Sequence, residues 1–278
     1  CSHGITQKTT TAEKCRRKTM NKKASPFHPS VWIAYWLSCL CSFACYADLH
    51  LDENFSAQRL APEISYICGD ENHYTLNEAK RLNFAPITHK EISFGFTQSD
   101  CWFHFRATNT GDKPLALVLS SDFNLFDHID FYIPSSSNTI KKSIGDTIPY
   151  NQRELKVRTL SIPFTINAKE THDYYLHAKT SSTFYLPLQL SSYPAFINVS
   201  DKIDTLIGLF YGMVIGLFLY HLFLFILTRE KVQLLYIFYV MNTLLFFAAE
   251  QGSLFRFWPN ATTLNNFSIY TFAFLVFS

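Results

Sequence analysis

The sequence has no Gly-x-Ser-x-Gly elbow, no glycine-rich phosphate loop, no His-Glu-x-x-His helix and no Cys-x-x-Cys pair. These are the best-defined signatures of hydrolase, nucleotide, zinc and thiol-redox chemistry, so the chain is expected to be a non-enzyme with no cofactor and no metal site. A basic face is also missing. Residues 1–47 hold seven Lys/Arg against the single acid Glu13, and the remainder carries 17 basic and 21 acidic groups. With no cluster of cations able to neutralise several phosphates, nucleic acid is excluded as a partner. Only two of the seven cysteines, Cys68 and Cys101, lie beyond residue 47.

Composition shifts sharply along the chain, which divides it into three parts. Residues 1–47 are upstream residues plus a secretory leader, with Met20 as the expected start. Lys22 and Lys23 give a charged n-region, Val31 to Ala44 an apolar stretch, and Cys45-Tyr46-Ala47 a small-residue site with cleavage expected before Asp48. An uncleaved anchor is the alternative, although the stretch is short for a bilayer that needs about 20 residues. The chain opens on Cys1 and closes inside the apolar run Tyr270 to Phe277, so it is expected to be a piece of a longer protein. Export places Cys68 and Cys101 where disulfides persist, and pairing or two buried thiols are both open.

Residues 48–199 show period-2 alternation in short runs separated by turn residues, the pattern of half-buried strands. The clearest runs are Ile64–Cys68, Cys101–Thr108, Leu115–Ser120, His128–Ile133, Arg158–Ile166, Asp173–Lys179 and Phe184–Leu190. Leu160, Ile162, Phe164 and Ile166 share one face, as do Phe184, Leu186, Leu188 and Leu190, and these faces are the expected core. Thr75-Leu76-Asn77-Glu78 has capping-box spacing, predicting a short helix over Leu76–Leu82. Seven or more strands at this spacing predict an all-β sandwich of jelly-roll type.

Alternation sets Trp102, His104 and Arg106 opposite Phe103 and Phe105, so one set is core and the other lines an outer or concave surface. Two assignments follow for the first set. Trp102 stacks on a ligand such as a sugar ring while Arg106 holds a polar or anionic group, or Trp102 is core and Arg106 sits in a structural salt bridge. Tyr175 and His177 share a face of the next long strand, and Tyr185 points outward from the last, completing the candidate ligand-binding set. Asp127 and Asp130 are the carboxylates that an exported glycosidase would need, but alternation points them apart.

From Ile203 to Leu227 there is no charge between Asp204 and Arg229, long enough to cross a hydrocarbon core of about 30 Å. Val232 to Ala249 is a second such run and a third begins near Phe267, so residues 203–278 read as two transmembrane helices and the start of a third. Gly208, Gly212 and Gly216 form a stripe that would admit a neighbouring helix. Arg229 and Lys231 suit a cytoplasmic turn, in agreement with an exported sandwich on the other side. His221 is expected to face other helices or the interface, since a lipid-facing imidazole is costly.

Gly95, Trp102, Arg106 and Asn109, followed by Asp127 to Tyr132, resemble the extracellular sensor domain, type 2, of the 7TMR-DISM family, seven-transmembrane receptors with diverse intracellular signalling modules. Ile207 to Gly212, Tyr220 to Phe225, Leu235 to Tyr239, and Gln251-Gly252 through Trp258-Pro259 resemble the opening of that family's membrane domain. The chain has Tyr220-His221 where the family commonly has Tyr-Asn. The resemblance implies a receptor of the bacterial inner membrane. Its periplasmic domain binds a small molecule, carbohydrate being one class, and its cytoplasmic output is a histidine kinase, a diguanylate cyclase or a similar module. Membrane lipid and a second copy in a homodimer are the other expected partners. A membrane-anchored periplasmic enzyme and a protein-docking adaptor are the competing readings.

Overall fold

The computed structural model describes residues 48–69, 74–97, 99–135 and 138–253. The leader, the third apolar run and Trp258-Pro259 lie outside the described residues. Residues 48–192 form two antiparallel sheets face to face. The larger sheet runs β4 (Ala85–Pro86), β3 (Ser65–Gly69), β6 (Asp100–Asn109), β11 (Thr171–Lys179), β8 (His128–Pro134), β9 (Thr139–Ile144), numbered in chain order, and β1 (Asp48–Leu51) lies parallel to the second half of β6. The smaller sheet runs β10 (Leu160–Ile166), β7 (Leu115–Ser121), β13 (Leu188–Ser192), β2 (Ala57–Arg59), and β5 (Ser93–Phe96) pairs with β12 (Thr183–Tyr185) as a separate ribbon. From β6 to β8 and from β10 to β11 the chain passes between sheets, as a jelly-roll-like sandwich requires.

The expected core faces are buried. Phe103 and Phe105 of β6, Phe131 of β8, and Tyr174 and Leu176 of β11 meet Leu117, Leu119, Ile162, Phe164, Leu188 and Leu190 of the smaller sheet. Phe131 and Phe164 join the two layers edge to face at 5.2 Å, and Phe131 also stacks near-parallel to Phe105 at 6.3 Å. Each such buried side chain contributes about 1.5–3 kcal/mol. Cys68 and Cys101 are direct cross-strand partners of β3 and β6 and are disulfide-bonded, which decides the question that spacing left open.

Two local expectations are corrected, and one strand is added. The helix is one turn, α1 (Leu76–Ala79), opened as predicted by Glu78 Oε2 accepting the Thr75 backbone N–H at 2.8 Å. The last expected strand breaks into β12 and β13 because Leu186 turns its N–H to Ile92 O and Pro187 has none to give. Strand β9 went unread because Thr139-Ile140-Lys141-Lys142 carries its charge on an edge. There Lys142 Nζ donates to the Pro163 carbonyl of β10 and to Glu154, each at 2.7 Å, so the two exposed edges are latched by a lysine beside a proline.

Two long helices follow, α2 (Tyr193–Thr228) and α3 (Lys231–Glu250), and both are long and apolar enough to cross a membrane. Helix α2 spans about 54 Å at 1.5 Å per residue, so it outruns a hydrocarbon core of about 30 Å. Its first turns pack on β7 and β13 with Phe196 buried, and no linker separates the sandwich from the apolar run. Arg229 closes α2 in the left-handed region, φ 55°, its N–H bound to Phe225 O at 2.9 Å.

Candidate functional site

Strand β6 sets the outer face of the larger sheet. Its register against β11 places Trp102 opposite His177, His104 opposite Tyr175, and Arg106 opposite Asp173; β8 then sets Asp130 opposite His177 and Tyr132 opposite Tyr175. Five of the six candidate ligand residues therefore share one surface. Tyr185 does not. It lies on the β5–β12 ribbon, where its hydroxyl donates to Glu91 at 3.1 Å and its ring meets Phe123 edge-on.

Contrary to the expectation that only one face of β6 is buried, Trp102 and His104 on the second face are buried too, while Arg106 stays exposed. Trp102 is 2% exposed, with Tyr132 and His177 stacked against it at 5.4 and 4.9 Å. Its indole N–H has no hydrogen-bond partner among the described residues. Phe84, from the segment after α1, packs on His104 and Tyr175, and Lys80 sits 5.8 Å from the Tyr175 ring centroid. An aromatic layer over an aromatic strand buries a face that alternation alone assigns to solvent.

Charge on this face is paired internally. Asp173 accepts from Arg106 Nε at 2.9 Å and Nη2 at 3.2 Å, and from His104 Nε2 at 2.9 Å. Burial raises the Asp173 carboxyl, but Arg106 and His104 outweigh it and hold it below the usual range. Burial pushes the His104 imidazole down despite Asp173, so a neutral ring donating Nε2–H fits the geometry. Nearby, Asp130 is 4% exposed and accepts from His128 at 2.8 Å, from Ser143, and from Lys141 Nζ at 2.7 Å. Burial would raise Asp130, yet the donors of His128, Lys141 and Ser143 and the nearby His177 ring hold it far below the carboxylate range. His177 stands between Asp130, 3.8 Å away, and Asp100, 3.6 Å away. Asp127 instead accepts from Ser181 N and Oγ, so the two carboxylates do not converge on one site.

Asp173 and Asp130 were missed as members of this face. Their signal was available, since Asp173, Tyr175 and His177 share strand parity. A second concavity of about 650 Å³ lies at the open side of the sandwich, where Ile133, Ile140, Pro163, Phe164, Glu170 and His172 line it. It went unread because its walls come from strands far apart in sequence.

In the helices, His221 Nδ1 meets Gln233 Oε1 at 2.8 Å and its ring stacks on Tyr236 at 5.0 Å, so it faces α3 as expected. The glycine stripe does not serve the α2–α3 contact. A Cβ at Gly208, Gly212 or Gly216 would meet nothing within 4 Å, while Phe210 and His221 carry the contact on another side.

The described architecture is a β-sandwich continuous with two helices long and apolar enough to cross a membrane. Residues 61–192 match the model of the 7TMR-DISM extracellular 2 domain, and residues 203–278 match that of the 7TM diverse intracellular signalling domain. The two matches together cover most of the chain, which belongs to the 7TMR-DISM family of membrane receptors with an extracellular sensor domain. Among curated proteins there is no match to the chain.

Proposed function

We propose that the sandwich binds a small ligand in the periplasm and that its binding state is passed through α2 and α3, in a multi-pass domain of a bacterial inner membrane, to a cytoplasmic histidine kinase, diguanylate cyclase or similar output. The supporting observation is continuity: α2 starts at Tyr193, directly after the last residue of β13, and enters the apolar run without a break. A ligand that prefers one arrangement of the sandwich then biases the helices attached to it.

Carbohydrate is the favoured class. The outer face offers half-buried Tyr132 and Tyr175 as apolar platforms, half-exposed Arg106 as a polar arm, and the unpaired Trp102 indole N–H beneath. Trp102, His104 and His177 act on this reading as the floor that positions Tyr132, Tyr175 and Arg106. The 650 Å³ concavity supports a second location, because its volume falls in the range of about 300–1,000 Å³ typical of small-molecule sites. In the membrane, Gly212 and Gly216 are proposed to receive another helix, from the rest of the domain or from a second copy in a homodimer.

Thermal unfolding of the chain in lipid nanodiscs, screened against sugars, amino acids and polyamines, tests the proposal. At least one sugar is expected to raise the melting temperature, less so after Tyr175→Ala if the outer face is the site. No shift with any compound, together with capture of a periplasmic protein, would establish a docking adaptor instead.

A further inference from the structure

The sandwich and the helices meet at one joint. Arg158, just before β10, donates Nη1 to the Gln251 carbonyl at the end of α3 at 3.3 Å, and its Nε lies 3.7 Å from Asp204 Oδ1 of α2. Asn124, after β7, donates to the same carbonyl at 3.2 Å. Gly252 follows at φ +73°, and a Cβ there would sit 2.8 Å from Asn124 Nδ2, so glycine is required on both counts. Residues separated by about a hundred positions thus clamp the outer ends of both helices to the sandwich.

Beside this clamp is a cavity of about 260 Å³ lined by Tyr150, Lys156, Arg158, Asp204, Gly208 and Tyr211. Its depth is set by sequence: Asp204 is the last charge before Arg229, so the cavity lies where hydrocarbon gives way to headgroups. Its lining carries two cations and one anion. Arg158 is only 16% exposed and faces Asp204 through its Nε, so the guanidinium is held in place by the joint while Lys156, beside it in the lining, is the exposed cation. Tyr211 adds a hydroxyl, now 3.2 Å from Ser253 Oγ. Gly208 keeps the membrane side open, since a Cβ there meets nothing within 4 Å.

We infer that this cavity binds the phosphate headgroup of an anionic phospholipid of the outer leaflet, with Lys156 and Arg158 as the cationic donors. The inference rests on the membrane-receptor reading but not on any periplasmic ligand, so a failed ligand screen leaves it standing. A bound headgroup bridges Arg158 of the sandwich to Tyr211 of α2, which makes the lipid a component of the joint.

The test uses the chain in nanodiscs of phosphatidylcholine with and without phosphatidylglycerol, with retained lipids counted by native mass spectrometry. Wild type is expected to retain phosphatidylglycerol in preference to phosphatidylcholine, and Lys156→Gln to lose about fivefold of that preference. Gly208→Leu is expected to lose it by filling the cavity, and should fold, because leucine is the better helix former and the space is empty. Unchanged melting in pure phosphatidylcholine confirms that both variants are folded. Equal retention of the two lipids by wild type, or undiminished preference in both variants, overturns the assignment. So does inorganic phosphate raising the melting temperature through Lys156 where no lipid preference exists, which would mark a free-anion site.

Discussion

Replacing Asp130 by Asn keeps the shape of a buried side chain and removes the charge on which three neighbours converge. Lys141 Nζ at 2.7 Å, His128 at 2.8 Å and Ser143 all direct donors at this carboxylate. Removing one partner of a buried ion pair costs about 3–5 kcal/mol. Lys141 and His128 are 49% and 39% exposed, so water recovers part of the loss, and about 2–3 kcal/mol is expected at pH 7. The pH dependence carries its own sign. The folded-state carboxyl is held far below its unfolded value of about 3.9, so its contribution is complete above that pH and is lost as pH falls toward the folded value. The gap between wild type and Asp130→Asn should therefore narrow below about pH 4, by roughly 1.4 kcal/mol per pH unit. Urea unfolding in detergent micelles, followed by near-ultraviolet circular dichroism at pH 7 and pH 3, measures both. A loss under about 0.5 kcal/mol at pH 7, or one that is the same at both pH values, would refute the assignment of Asp130 as the electrostatic centre of the face.

Asp146 behaves oppositely. Burial and the neighbouring Asp127 push its carboxyl up to about 6 against Arg153 and the Thr147 N–H, so it costs stability as pH rises from about 4 through 6. Asp146→Asn should be more stable than wild type by about 1–3 kcal/mol at pH 7 and equal to it at pH 4, read from paired unfolding curves. Reduction of Cys68–Cys101, which lie 33 residues apart, or their joint replacement by serine, should lower stability by about 3–4 kcal/mol. Unfolding with and without reductant checks this, and the double variant must be insensitive to reductant. Asn109 Nδ2 faces the carbonyls of Lys113, Ile166 and Asn167, and its Oδ1 accepts Gly111 N. Asn109→Ala leaves those buried groups short of partners and should cost about 2–3 kcal/mol in the same assay.

Periodicity and local spacing in the sequence specify the elements but not what packs over them. Thr75 to Glu78 announced the start of α1, β6 and β11 were visible from alternation, and Arg229 and Lys231 marked the turn between the helices. Alternation also placed Trp102, His104 and Arg106 on one face. It could not show that Tyr132 and His177 close around Trp102 from neighbouring strands or that Phe84 covers His104, because a strand pattern reports which side a residue takes and not what comes to cover it. Arg106 had two assignments from sequence, and the bidentate bond to Asp173 supplies the structural one without removing its exposed half from reach. The glycine stripe faces no described neighbour, since α3 packs elsewhere on α2. Least legible was the joint. Asn124, Arg158, Asp204 and Gln251 meet only through tertiary folding, and none stands out by type or spacing.

The central claim is that the sandwich and the outer ends of the helices respond as one unit. Hydrogen exchange of the chain in nanodiscs, with pools of sugars, amino acids or polyamines added, tests it most directly. A pool that slows exchange in β6 and β11 is predicted to change exchange also at residues 201–206 and 249–253. Protection confined to the sandwich for every pool that binds would contradict the claim.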